Sequence, residues 1–150
     1  MTSINASVDV ALDPAEAFRV FAEEIDAWYV VDRATVLDVT RTAEIRLEPY
    51  VGGRLLDVYD LATGEGRTLA TVTAWEPGRG LAFVDARDTE VEVTFEAVPY
   101  GTRVTIEHRG LERVPAAERD HVRRFGWPLI LPWYEQHVRA SHTDDRRSGE

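Results

Sequence analysis

The sequence predicts an α+β fold in which a curved antiparallel sheet wraps one long C-terminal helix. Three observations predict it: strand-like stretches separated only by short turns, a pair of short helical segments after the first strand, and a single broad apolar helix near the C-terminus. Strands joined by turns argue against βαβ units. Such a sheet must bury one face, and the C-terminal helix is the only large partner that the chain offers. A cavity can form between the two.

Each element has its own signal. Ile4 to Leu12 alternates, with Ile4, Ala6, Val8 and Val10 on one parity. Asp13-Pro14 then ends the strand and opens a helix, Asp13 as N-cap and Pro14 at the first helical position. Phe18, Phe21, Ala22 and Ile25 follow at helical spacing, and this helix is expected to end near Asp26, with a second short piece at Ala27-Trp28-Tyr29. Strands are predicted over Thr35–Val39, Glu44–Glu48, Arg54–Asp60, Arg67–Trp75, Leu81–Asp85, Glu90–Val98 and Thr102–His108. Turn residues separate them: Pro49 to Gly53, Ala62 to Gly66, Glu76 to Gly80, and the hairpin signal Pro99-Tyr100-Gly101. The last helix is expected from about Pro115 to Ala140, with one apolar stripe of Val122, Phe125, Leu129 and Trp133 and another of Trp127, Leu131, Tyr134 and Val138. Pro128 and Pro132 inside it predict a kink or a late start. Gly126 is read as letting this helix approach a strand closely.

At 150 residues the chain has the length of one domain, expected over residues 1–140, with a polar, disordered tail at 141–150. Arginine supplies all 17 basic residues against 27 acidic ones, a net charge of −10. That balance argues against nucleic acid and anionic membrane surfaces as partners. No run approaches the roughly 20 apolar residues of a membrane span. The start Met-Thr-Ser-Ile-Asn-Ala has no signal-peptide character, so a cytoplasmic location is expected. Zero cysteines exclude disulfides, zinc–thiolate sites and a thiol nucleophile.

Several of these pieces resemble, in order, the SRPBCC superfamily (START or Bet v 1-like), and within it the bacterial branch related to the activator of Hsp90 ATPase (AHSA1-like). They are Asp13-Pro14-Ala15-Glu16-Ala17-Phe18 at the strand-to-helix junction, Trp28 after the short helices, and the paired-glycine turn Pro49-Tyr50-Val51-Gly52-Gly53. Trp75-Glu76-Pro77 with Leu81-Ala82-Phe83, the strand Thr102 to His108, and Gly126-Trp127-Pro128 with Leu131 complete the set. The resemblance implies a helix-grip fold around a hydrophobic cavity that receives small apolar or amphipathic ligands. One such fold hosts carriers, receptors, cyclases and co-chaperones, so it implies architecture more than activity.

Candidate site residues follow from strand parity. If Leu55, Leu81, Phe83, Val91, Val93, Phe95, Val104 and Ile106 face the helix, Tyr59 shares their parity, and Asp57, Asp85 and His108 turn toward the cavity as well. Three ionisable groups converging on an apolar cavity would mark a site. The alternative is that Asp57 and Asp85 lie near strand ends and reach solvent and that His108 is a satisfied edge histidine, because one β-bulge reverses parity. Trp28, Phe83, Phe95, Phe125, Leu129 and Trp133 are the apolar wall candidates, although aromatic residues fill ordinary cores equally well. His121, His137 and His142 have no metal spacing, the serines cluster near the termini, and Gly64-Glu65-Gly66 and Gly78-Arg79-Gly80 do not open helices. Neither a metal nor an organic cofactor is expected.

The leading functional expectation is a noncatalytic protein enclosing a small hydrophobic or aromatic molecule, as monomer or homodimer. An enzyme of cyclase, aromatase or hydrolase type acting on a polyketide-like molecule is the alternative, with Asp57, Asp85 or His108 as general acid or base. A co-chaperone-like module with a protein partner ranks third.

Overall fold

A computed structural model describes residues 3–31 and 35–141, and every described stretch of sheet belongs to one antiparallel layer. Strands β1 (Ile4–Val10), β2 (Glu44–Leu47), β3 (Arg54–Val58), β4 (Gly66–Glu76), β5 (Gly80–Asp85), β6 (Glu90–Val98) and β7 (Gly101–Arg109) lie in the order β1-β7-β6-β5-β4-β3-β2. Consecutive strands from β2 to β7 are neighbours, and β1 closes the far edge beside β7. The sheet curls into a half-barrel that holds a C-terminal helical segment, the helix-grip arrangement.

Local chemistry sets the first connection. Asp13 caps helix α1 (Pro14–Glu23): its side chain accepts from the Glu16 amide at 2.8 Å, and Pro14 occupies the first turn, where no amide donor is needed. The helix ends at Glu24, two residues earlier than the spacing predicts, and α2 (Ile25–Trp28) follows at once. Asp26 is used as a bridge, its carboxylate accepting the Ile45 amide of edge strand β2 at 2.8 Å.

Residues 35–39 form turns and bends, not the strand that their composition suggests. The reason is local. Asp38 folds back on Thr40, accepting from its amide at 3.0 Å and its hydroxyl at 2.6 Å, which competes with strand pairing.

The C-terminal helix is two helices. After a one-turn 3-10 helix (Leu111–Arg113), α3 (Ala116–Phe125) and α4 (Trp127–Ser141) meet at Gly126, whose ψ of −153° ends the first. A Cβ at Gly126 would lie 2.2 Å from the Val122 carbonyl oxygen, so glycine serves the helix junction and not a helix–strand approach. Pro128 falls in the first turn of α4, where it is tolerated, and α4 continues through Pro132. The break resets the helical phase. Trp127, Ile130, Leu131, Tyr134 and Val138 form the buried stripe, whereas Leu129 is 42% exposed. α4 includes Ser141, and the rest of the expected tail, 142–150, lies outside the described residues.

The core forms where α1, α2 and α4 meet the concave face. Phe21 is fully buried, with ring centroids 5.0 Å from Trp28, 5.2 Å from Tyr134 and 5.8 Å from Phe95. Burying one such ring contributes roughly 1.5–3 kcal/mol. The Tyr134 hydroxyl donates to the Ala17 carbonyl at 2.8 Å, and burial pushes this phenol well above its ordinary pKa.

Candidate functional site

The register of the central strands decides which side chains can meet. Phe83 pairs with Val91, and Val91 with His108, so the three form one row across β5, β6 and β7 on the concave face. A second row runs Leu55, Ala70, Asp85 across β3, β4 and β5. Below these rows the sheet and helices leave a cleft of two adjoining chambers. The inner chamber has a volume of about 140 Å³ and the outer one about 590 Å³.

The inner chamber is bounded by Leu55, Ala70, Phe83, Val91 and His108 from the sheet, and by Val122, Gly126, Trp127 and Ile130 from the helical side. The Phe83 and Trp127 rings pack on each other in its wall, with centroids 5.7 Å apart. Thr35, Leu69, Asp85, Arg87 and His121 border both chambers. The outer chamber adds Arg67, Arg113, Pro115 and Glu118. The polarity of the walls therefore rises from the inside outward.

His108 and Asp85 are held in different ways. The hairpin Asp85 to Thr89 is tied by Asp85 Oδ1, which accepts the Arg87 amide at 2.9 Å and the Thr89 amide at 3.1 Å, while Asp88 takes φ of 63°, a conformation Asp tolerates better than most residues. Thr89 is fully buried, and its hydroxyl lies 2.7 Å from His108 Nε2. Asp85 Oδ2 is 4.0 Å from the same nitrogen. Burial lowers the His108 pKa, with Arg87 adding to that effect and Asp85 opposing it, so the imidazole is neutral at neutral pH. Its Nδ1 is buried and has no hydrogen-bond partner among the described residues.

The ten residues expected at a site are not brought together. Phe83, Asp85 and His108 border the inner chamber. Trp28 lies in the core, its indole N–H donating to the Phe21 carbonyl at 3.1 Å, and Phe95 packs on Phe18 and Phe21. Asp57 is inward and fully buried, as its parity requires, but it sits beside the edge strand β2, where its Oδ1 accepts the Thr42 hydroxyl at 2.6 Å. Tyr59 lies beyond the end of β3 with the Arg41 guanidinium 4.2 Å over its ring. Leu129 faces solvent because the Gly126 break shifts its phase, and Trp133 packs edge-on against Tyr29. The Phe125 side chain lies outside what is described.

Several bordering residues carry no sequence signal. Leu69 enters through an irregularity in β4, where Leu55 pairs with Ala70 but Leu56 with Thr68, and no residue type marks that bulge. Trp127 and Val122 stand in the predicted apolar stripes, yet nothing in spacing separates cleft from core there. Among the described residues, no group of three or more His, Asp or Glu side chains is placed to hold a metal ion.

Solved structures share this architecture over most of their length. An AHSA1-like protein from Aeromonas hydrophila is 20% identical, with 93% of each chain covered and a TM-score of 0.63. A protein from Rhodobacter sphaeroides is 22% identical, covering 91% of this chain and 88% of its own, with a TM-score of 0.66. CalC, a self-sacrificing resistance protein from Micromonospora echinospora, is 24% identical over 91% of this chain and 94% of its own, with a TM-score of 0.64. At these identities the likeness is one of fold. No curated protein matches the chain in sequence. The family model described as activator of Hsp90 ATPase homolog 1-like protein matches residues 11–132, well over half of the chain, and the protein belongs to that family.

Proposed function

We propose that the protein binds a small hydrophobic or aromatic molecule in the cleft between sheet and C-terminal helices. The observation that carries this reading is the inner chamber, an apolar space bordered by Leu55, Phe83, Val91, Trp127 and Ile130 together with His108. Its volume of about 140 Å³ is close to that of a cavity of roughly 150 Å³ that takes up benzene, so it suits one aromatic ring, with a second fused ring extending past Leu69 into the outer chamber. The fold's use in a resistance protein is compatible with the reading but carries no activity to this chain. Asp57 is bound to Thr42 at the sheet edge, so of the three acid–base candidates Asp85 and His108 border the cleft, and the enzymatic alternative rests on that pair.

Native mass spectrometry of the freshly purified protein, set against its denatured mass, reports any resident molecule directly. Titration calorimetry with 2-naphthol then tests the site. Saturable one-site binding with a negative heat-capacity change is expected. Leu69→Trp, which fills the boundary between the chambers, is expected to weaken it at least about tenfold. Absence of binding, or binding indifferent to that substitution, would overturn the reading.

A further inference from the structure

In a chain with a net charge of −10, the outer chamber concentrates arginine. Arg67 at the start of β4, Arg87 in the β5–β6 hairpin and Arg113 in the 3-10 helix all border it, against two carboxylates, Asp85 and Glu118. The Asp85 carboxylate is engaged by two backbone amides, and Arg113 donates to the Asp88 carbonyl at 2.8 Å. Neither Arg67 nor Arg87 has a carboxylate partner among the described residues. The first turn of α3 also borders the chamber through Pro115 and Glu118, and it has no side-chain cap. Its free amides and the positive end of the helix dipole add to the same field. The adjoining inner chamber is bordered by His108, which is 4% exposed.

We propose that the molecule bound here is an amphipathic anion, an aromatic or medium-chain carboxylic acid. Its apolar end fills the inner chamber and its carboxylate is held by Arg67 and Arg87, with Arg113 nearby. The proposal rests on the reading of the cleft as a ligand site and names the class of ligand. A planar guanidinium matches a carboxylate with two parallel hydrogen bonds, which a neutral amide of the same shape cannot reproduce. The arginines thus act as a filter on ligands that the apolar chamber alone would accept without distinction.

Titration calorimetry with three acid and primary-amide pairs separates the two readings. The pairs are phenylacetate, 4-phenylbutyrate and octanoate, each against its own amide, with the full chain at low ionic strength. At least one acid is expected to bind about tenfold or more tightly than its amide, and high salt should narrow that gap. The double variant Arg67→Gln/Arg87→Gln should remove the preference by lowering acid affinity about tenfold, toward that of the amide. Equal affinities for every pair, or a preference that survives the double variant, would overturn the anion assignment and leave the cleft reading intact. If no member of any pair binds, both fail.

Discussion

The hydroxyl of Tyr134 on α4 donates to the carbonyl of Ala17 on α1, joining residues 117 positions apart at 2.8 Å in a fully buried setting. The bond fixes how the last helix sits against the first. Tyr134→Phe keeps the ring contacts with Phe21 and Trp28 and removes only this bond. A loss of about 0.5–1.5 kcal/mol is expected in denaturant unfolding. It should be no larger, because the Ala17 carbonyl still faces an amide donor inside α1.

The buried imidazole of His108 makes stability depend on pH. Its folded pKa lies below the ordinary 6.5, so between the folded value and about 6.5 the unfolded chain binds the extra proton. This contribution is therefore complete above about pH 6.5 and is lost as acid is added below it, at up to about 1.4 kcal/mol per pH unit. Denaturant midpoints of the natural protein and of His108→Gln, compared across that range, isolate the effect. The natural protein should lose more stability, and parallel curves would refute the assignment.

Asp57 depends on a single neighbour. Its carboxylate is wholly buried, Oδ1 bonds to Thr42, and Oδ2 has no partner among the described residues. Thr42→Val is expected to cost about 1–3 kcal/mol or more, since it leaves a buried acid with nothing to bond. The same variant should bind 2-naphthol normally, because Asp57 borders neither chamber. Weakened binding in a folded Thr42→Val protein would place Asp57 back at the site.

Gly126→Ala asks whether the helix junction shapes the cleft. The added methyl would meet the Val122 carbonyl oxygen at 2.2 Å, so α3 must shift relative to α4. A stability loss of about 1–3 kcal/mol is expected in thermal unfolding. Affinity for 2-naphthol should fall as well, since Val122, Gly126 and Trp127 all border the inner chamber.

Alternation and turn chemistry made most of the sheet legible. The strands β5 to β7 pair without a slip, so parity from Phe83, Val93 and Val104 carries through to His108. The same reasoning loses force at β3 and β4, where an irregular register brings Leu69 to the cleft unannounced. Asp57 shows a different limit: its orientation was readable, but the 40–43 segment that covers it was not. Trp28 and Phe95 carry the aromatic signature of pocket walls, and three-dimensional neighbours alone assign them to the core. The apolar periodicity runs unbroken through Gly126 and points Leu129 inward, whereas the backbone break turns it out. The arginines of the outer chamber come from separate elements of the chain, and only folding gathers them.

The junction at Gly126 divides the C-terminal region into parts with unequal freedom to change. α4 is locked against α1 and the sheet by Tyr134 and its apolar stripe, so its sequence answers to the whole fold. α3 packs chiefly on α4 and contributes Val122, His121 and Glu118 to the edge of the cleft. Substitutions in α3 accordingly change the lining of the cleft while the spine of the molecule stays intact.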